Sequence, residues 1–304
     1  MRLILPRLCL RIDERKLNVK AFLLKYRVVD ILTLCIALGV FLALYGNVPA
    51  LFAGVSVAQV LVIMLTALLV HALKAARLFL ALYGQKISIS EHLALYCKVT
   101  PVSMVLPYKV GEFYRMYAYG THLKSGLKGI VIILLDRFMD TAALVTMILI
   151  AGFFYGGQIT SFLLVLLIFL VLVVLLYRAF PGARKFWKHY FLSKKATPRR
   201  MGALKALESF HRIYEEVSVV TSGRGILLYV LSFLAWGVEI GSIVLQTKLF
   251  FGGAVAETMS AYLASAMSGD PTVPLRQFIF VSVILLLVLF CVIQIARAFS
   301  KKKG

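Results

Sequence analysis

The chain has 304 residues, 61% hydrophobic and only 15% charged, with a mean hydropathy of +0.91. Soluble domains run nearer half apolar and a quarter charged, so this composition excludes an ordinary soluble domain, a disordered chain and a disulfide scaffold; it predicts an all-α polytopic integral membrane protein. Thirty-four Lys and Arg face thirteen Asp and Glu, a net charge of +21, and the placement of those charges decides whether they serve nucleic acid or topology.

Residues 1–27 form a basic N-terminal segment with eight Lys and Arg. The apolar run at 28–46 is long for a signal-peptide core and close to the roughly 20 residues a helix needs to cross hydrocarbon, so it reads as an uncleaved anchor. A second span covers 56–83, with His71 and Arg77 toward its end reading as interfacial anchors. Residues 91–107 are moderately apolar, contain Lys98, Pro101 and Pro107, and have basic residues on both flanks. That pattern predicts a re-entrant or broken helix, not a simple span. Next comes PYKVGEFYR, in which the helix breakers Pro107 and Gly111 surround Lys109, Glu112 and Arg115.

The third span, 129–153, carries Asp136, Arg137 and Asp140 near its middle. Three charges at that depth cost roughly 8–10 kcal/mol on insertion scales. The strongly apolar residues around them return roughly 4–8, so the span barely inserts by itself. Its charges must pair or face a polar cavity. Arg137 lies three residues before Asp140 and can reach it, which is enough for a self-neutralising structural pair. One carboxylate is then left over. Lys109 or Arg115 could neutralise it, or the same cations could hold a phosphate through Arg's planar fork of donors and free N–H groups at a helix start.

A fourth span covers 160–178. The loop at about 179–224, with Arg178 at its edge, holds eleven basic residues, and 201–220 place Leu204, Leu207, Phe210, Tyr214 and Val217 on one face of an amphipathic helix. The basic run before it either attracts anionic lipid or simply marks the cytoplasmic side. The fifth span, 225–247, contains Trp236, Gly237, Glu239 and Gly241; the two glycines suggest close helix approach around a carboxylate. Residues 251–276 are rich in Gly, Ala and Ser and end in SGDPTVPLR, a second re-entrant or broken segment. The last span is 277–298, and 299–304 form a basic tail.

This makes about six transmembrane helices plus two re-entrant or broken segments, with 28–298 as one membrane domain. Of the 34 basic residues, 31 fall in 1–27, 74–128, 178–224 or 297–303. The positive-inside rule then puts those segments and both termini in the cytoplasm. That topology accounts for the charge without nucleic acid. Interrupted segments in the two halves, opening to opposite faces, are the sequence pointer to an inverted repeat with a central site.

No GxxxxGK[ST], HExxH, GxSxG or Asp-x-Asp pair occurs, and the five histidines show no metal-ligand spacing. No cofactor or metal is expected, and an ATP-driven pump is disfavoured. Cys9, Cys35, Cys97 and Cys291 are scattered and read as packing residues. Glu112, Asp136, Asp140 and Glu239 could still act as acid or base in a membrane enzyme.

LPYKVGEFYR followed by LLDRFMDTAAL resembles the flippase-like membrane region of lysylphosphatidylglycerol synthases and its stand-alone relatives. That family typically has Pro-x-Arg-x-Gly-Glu, an Arg three residues later, and a Glu-Arg-x-x-Asp span. Pro107, Gly111, Glu112, Arg115, Arg137 and Asp140 match; Lys109 stands for the usual Arg and Asp136 for the usual Glu. The stretch ARLFLALYG and the segment around Glu239 extend the likeness over most of the chain. The family's Gly-Gly turn in the second half is replaced by GDPTVPLR, and a stand-alone member without the aminoacyl-transferase domain is expected.

The resemblance implies lipid translocation between leaflets of the plasma (inner) membrane. The expected cargo is a membrane lipid with an anionic head group, contacted by Lys109, Arg115 and Arg137. Glu112, Asp136, Asp140 and Glu239 would hold those cations and open or close the path. The alternative is a membrane enzyme, or a partner of a lipid- or glycan-synthesis enzyme.

Overall fold

The computed structural model describes residues 28–85, 87–106, 110–155, 161–193, 197–246, 261–262 and 272–302. Lys109 and most of 251–276 lie outside them, so the second broken segment and its opposite-facing partnership do too. Ten helices run through the described residues. They are α1 Val28–Tyr45, the short α2 Val48–Leu51, α3 Val57–Ala81, α4 Ile89–Val105, α5 Val110–His122, α6 Gly126–Tyr155, α7 Ser161–Leu192, α8 Pro198–Thr221, α9 Gly225–Gln246 and α10 Val273–Lys302. No strand occurs among the described residues. The chain is an all-α polytopic membrane protein.

Five helices are long and apolar enough to cross a membrane: α1, α3, α7, α9 and α10. The expected third span, α6, is absent from that set despite its 30 residues. Every 18-residue stretch of it with described side chains holds at least Asp136, Arg137 and Asp140, the charges whose insertion cost sets this span apart.

Local chemistry sets several helix starts. Ser56 and Gln59 form a reciprocal capping box at α3, and Ser88 and Glu91 do the same at α4. Each box satisfies two backbone N–H groups that the first turn would otherwise leave orphaned. The Ser88 hydrogen bonds also hold the Glu91 carboxyl below its ordinary range. At α8, Thr197 caps and Pro198 takes the first helical position, where its missing N–H costs nothing.

The described part of segment 91–107 lies in α4, which forms one unit with α5. At the start of α6, Lys128 donates to Gln85, which precedes α4, across 3.1 Å. The unit therefore begins and ends at one end of the bundle. Gly111 lets its two arms close: a Cβ there would stand 2.3 Å from the Ser103 Cα. A second close approach follows at the α5–α6 turn, where a Cβ on Gly129 would meet the Gly120 backbone at 2.4 Å. These two contacts press α4 on α5 and α5 on α6, and they set the height at which Glu112 and Arg115 face the middle of α6.

Most described residues of the expected loop at about 179–224 lie in two helices. Helix α7 continues unbroken through Pro181 to Leu192, and α8 returns alongside it. The charged side chains of this connection are carried on helix surfaces. The amphipathic face is present, with Leu204, Leu207, Tyr214 and Val217 half-buried while Phe210 is exposed. Tyr214 stacks on Tyr177 and Phe180 of α7 at 4.9 and 5.2 Å. The glycines of α9 do not act as expected. A Cβ on Gly241 meets nothing within 4 Å, and one on Gly237 meets only the Met147 side-chain tip at 3.5 Å.

Candidate functional site: a buried ion network

Helix α3 packs along α9, and α6 packs against both α5 and α9. The charges of four helices meet where these elements converge. Arg77 of α3 is the best-bonded member. Its Nε donates to Asp136 Oδ1 at 2.8 Å, with Nη2 at 2.6 Å from the same oxygen. Its Nη1 donates to Asp140 at 2.9 Å and to the Ser232 hydroxyl of α9 at 2.5 Å. Asp136 and Asp140, one turn apart on α6, thus share one guanidinium. The Ser232 hydroxyl in turn donates to the Leu228 carbonyl at 3.0 Å.

Arg115 of α5 approaches from the other side. It donates to Glu112 at 3.1 Å and to Asp136 Oδ2 at 3.4 Å. Arg137 lies 3.2 Å from Asp136, 3.4 Å from Glu112 and 3.8 Å from Asp140. These contacts are longer than those of Arg77. The exposures differ as well: the Arg137 side chain is 36% exposed, that of Arg77 only 2%. The buried Nε–H groups of Arg115 and Arg137 have no hydrogen-bond partner among the described residues.

A second, smaller group adjoins. Lys74, one turn before Arg77, lies 3.8 Å from Glu239 and 5.5 Å above the Trp236 ring. Glu239 accepts from the Tyr262 hydroxyl at 2.5 Å. Farther along the α3–α9 seam, Thr66 donates to Ser242 at 2.8 Å. One face of α9 is therefore polar at Ser232, Glu239, Ser242 and Gln246, all buried.

Glu112, Arg115, Asp136, Arg137 and Asp140 lie in one network. Glu239 stands in the adjoining group, and Lys109 lies outside the described residues. Two sequence expectations are corrected. Arg77 is the most heavily bonded cation of the network and not an interfacial anchor. His71 is also buried, and its Nδ1 meets the Tyr96 hydroxyl at 3.0 Å. Lys74 was passed over as one more topology-marking basic residue. The signal that finds all three is spacing: 71, 74 and 77 fall on one face of an otherwise apolar helix.

Lys74, Arg77, Arg115 and Arg137 balance Glu112, Asp136, Asp140 and Glu239. Balance is what permits such a cluster in a dry interior, where an unpaired charge is very costly.

A family model described as the lysylphosphatidylglycerol synthase TM region matches residues 23–300. The chain belongs to that family. No curated protein and no solved structure matches it. The network sits in the stretches that carry the resemblance to lysylphosphatidylglycerol synthases, the Gly-Glu-x-x-Arg of α5 and the Asp-Arg-x-x-Asp of α6. Family membership supports a lipid-related role in a membrane for this multi-pass protein.

Proposed function

We propose that this lysylphosphatidylglycerol synthase TM protein moves a polar-headed, phosphate-bearing lipid between leaflets of the plasma (inner) membrane, with both termini in the cytoplasm. The observation that carries the reading is the contrast within the ion network. Arg77 is closed off by short bonds, whereas Arg137 is partly exposed and more loosely held. A phosphate could bind Arg137 with few bonds to break, and guanidinium recognises phosphate through paired donors.

The network is charge-balanced before cargo arrives. A phosphate that takes Arg137 therefore displaces Glu112, Asp136 or Asp140 from it. Head-group binding in this way rearranges the contacts between α5 and α6, and such an exchange of pairs is a means of opening and closing a path. The enzyme alternative gains less support, because Glu112, Asp136, Asp140 and Glu239 are all engaged by cations.

The test is leaflet translocation in reconstituted vesicles. Labelled phospholipids of several head groups are compared for wild type, Arg137→Ala and Arg115→Ala. Accelerated movement of one lipid class that is lost in Arg137→Ala, with the fold intact, supports the reading. Equal rates for wild type and Arg137→Ala across the lipid set would remove Arg137 from it.

A further inference from the structure

Lys74, Arg77, Arg115 and Arg137 balance four carboxylates among the described residues, so a phosphate monoanion at Arg137 leaves the site one negative charge in excess. In a dry interior such an excess is costly. A positive charge has to enter with the phosphate, and a proton on a carboxylate is the smallest. The four carboxylates are unequally placed to take it. Asp136, Asp140 and Glu112 have arginine nitrogens at 2.6, 2.9 and 3.1 Å. Glu239 has Lys74 at 3.8 Å, beyond hydrogen-bond range. Its side chain is 5% exposed, and Oε2, the oxygen nearest Lys74, accepts no hydrogen bond among the described residues. A proton on Glu239 breaks one long ion pair. A proton on any of the others breaks a shorter charge-assisted contact.

The groups facing Glu239 are few. Lys74 comes from α3, and Asp140 of α6 is a like charge within electrostatic range. The Tyr262 hydroxyl donates to Oε1, and α10 adds the apolar Leu275. Lys74 is also within electrostatic range of Asp140, so leaving Glu239 does not strand it. Polar side chains lead away from Glu239 along the α3–α9 seam. Ser242 lies one turn beyond it, with the Thr66 hydroxyl at 2.8 Å and the Gln246 amide at 3.0 Å. They run toward the start of α3, away from Arg77.

We propose that Glu239 is a proton-binding site that couples lipid-phosphate binding to uptake of one proton per phosphate monoanion. The proposal rests on the lipid-moving reading above. A proton from water bonds to Glu239 Oε2, the Lys74–Glu239 pair breaks, and Lys74 turns to Asp140. Arg137 gives up its 3.8 Å contact with Asp140 and takes the phosphate. The loaded site is neutral again. Release of the phosphate returns Lys74 to Glu239 and the proton to water. Proton and anion travel together, so lipid moves toward the more alkaline side and a membrane potential alone does not drive it.

The full chain in a neutral detergent and weak buffer, near neutral pH, is titrated with dihexanoylphosphatidylglycerol while a dye reports pH. A phosphodiester neither gains nor loses a proton there, so any uptake belongs to the protein. Wild type should take up about one proton per anion bound, and Glu239→Gln close to none. Wild type decides the point even if the variant does not fold: anion binding without proton uptake, or no anion binding, overturns the proposal. In vesicles, the ratio of labelled phosphatidylglycerol between leaflets should shift about tenfold toward the alkaline side per unit of pH difference. Lipid movement indifferent to the gradient would overturn the coupling and leave the transport reading standing. Proton uptake on binding, with no movement in vesicles, would support the proton site and overturn the transport reading.

Discussion

Helices α6 and α7 are neighbours of nearly equal length, 30 and 32 residues, and they are built in opposite senses. Helix α7 has a mean hydropathy of 3.0 over its best window, yet only 11% of that window is buried inside the protein. Helix α6 carries four charges and forms part of the most enclosed region, with Ile132, Ile133, Ala143 and Asp136 all buried. In water the apolar helix would be the core and the charged one the surface. In lipid the apolar face gains nothing by leaving a solvent as apolar as itself, and the charged face gains a great deal by finding partners. Helix α6 is therefore held by what it carries, and α7 by little more than the membrane around it.

Substitutions can break or sharpen that contrast. The largest effect is expected for Arg77→Ala, which strands two carboxylates: a loss of about 3–5 kcal/mol, read as a large fall in the unfolding midpoint in detergent. Retained stability would mean that Arg115 and Arg137 suffice to neutralise α6. Gly129→Ala comes next. Its Cβ has no room beside the Gly120 backbone, and overpacking of this kind costs about 1–3 kcal/mol. Because α5 is pushed off α6, its leaflet-translocation rate should fall more than its stability. Arg137→Ala should cost less stability than Arg77→Ala, because Arg77 still holds Asp136 and Asp140 and Arg115 still holds Glu112, while abolishing translocation, so the two arginines separate structure from transport. A comparable stability loss in both variants would erase the distinction. The smallest effect belongs to α7: Leu172 is half-exposed to the surroundings, and Leu172→Ala should stay within about 0.5 kcal/mol. A loss near that of a buried leucine would show that α7 is covered by another subunit.

The parts legible in the sequence were those with a local signature. Membrane class and span positions follow from apolar length, and the end of α4 at the extended Leu106 follows from Pro107 after it. The charges of α6 stood out because nothing apolar explains them. Arg77 did not stand out: it lies near the end of a span, where a basic residue already has a topological explanation, and its partners lie 59 and 63 residues away. The glycines failed for a related reason. Gly237 and Gly241 have the spacing of a helix-packing motif within one helix, whereas the pair in contact, Gly120 and Gly129, belongs to two helices joined by a tight turn. Sequence spacing is informative inside an element. Contacts between elements need the fold.

The 59-residue separation between Arg77 and Asp136 has a consequence for how the chain is made. At about 5–20 residues per second, Arg77 leaves the ribosome roughly 3–12 s before the carboxylate it will hold. When α6 arrives at the membrane with more charge than its own apolar residues can offset, the cation it needs is already waiting in α3. Ser232, which completes the grip, follows 96 residues after Asp136. Synthesis order thus supplies the strongest partner first, and the entry of one helix becomes conditional on the earlier arrival of another.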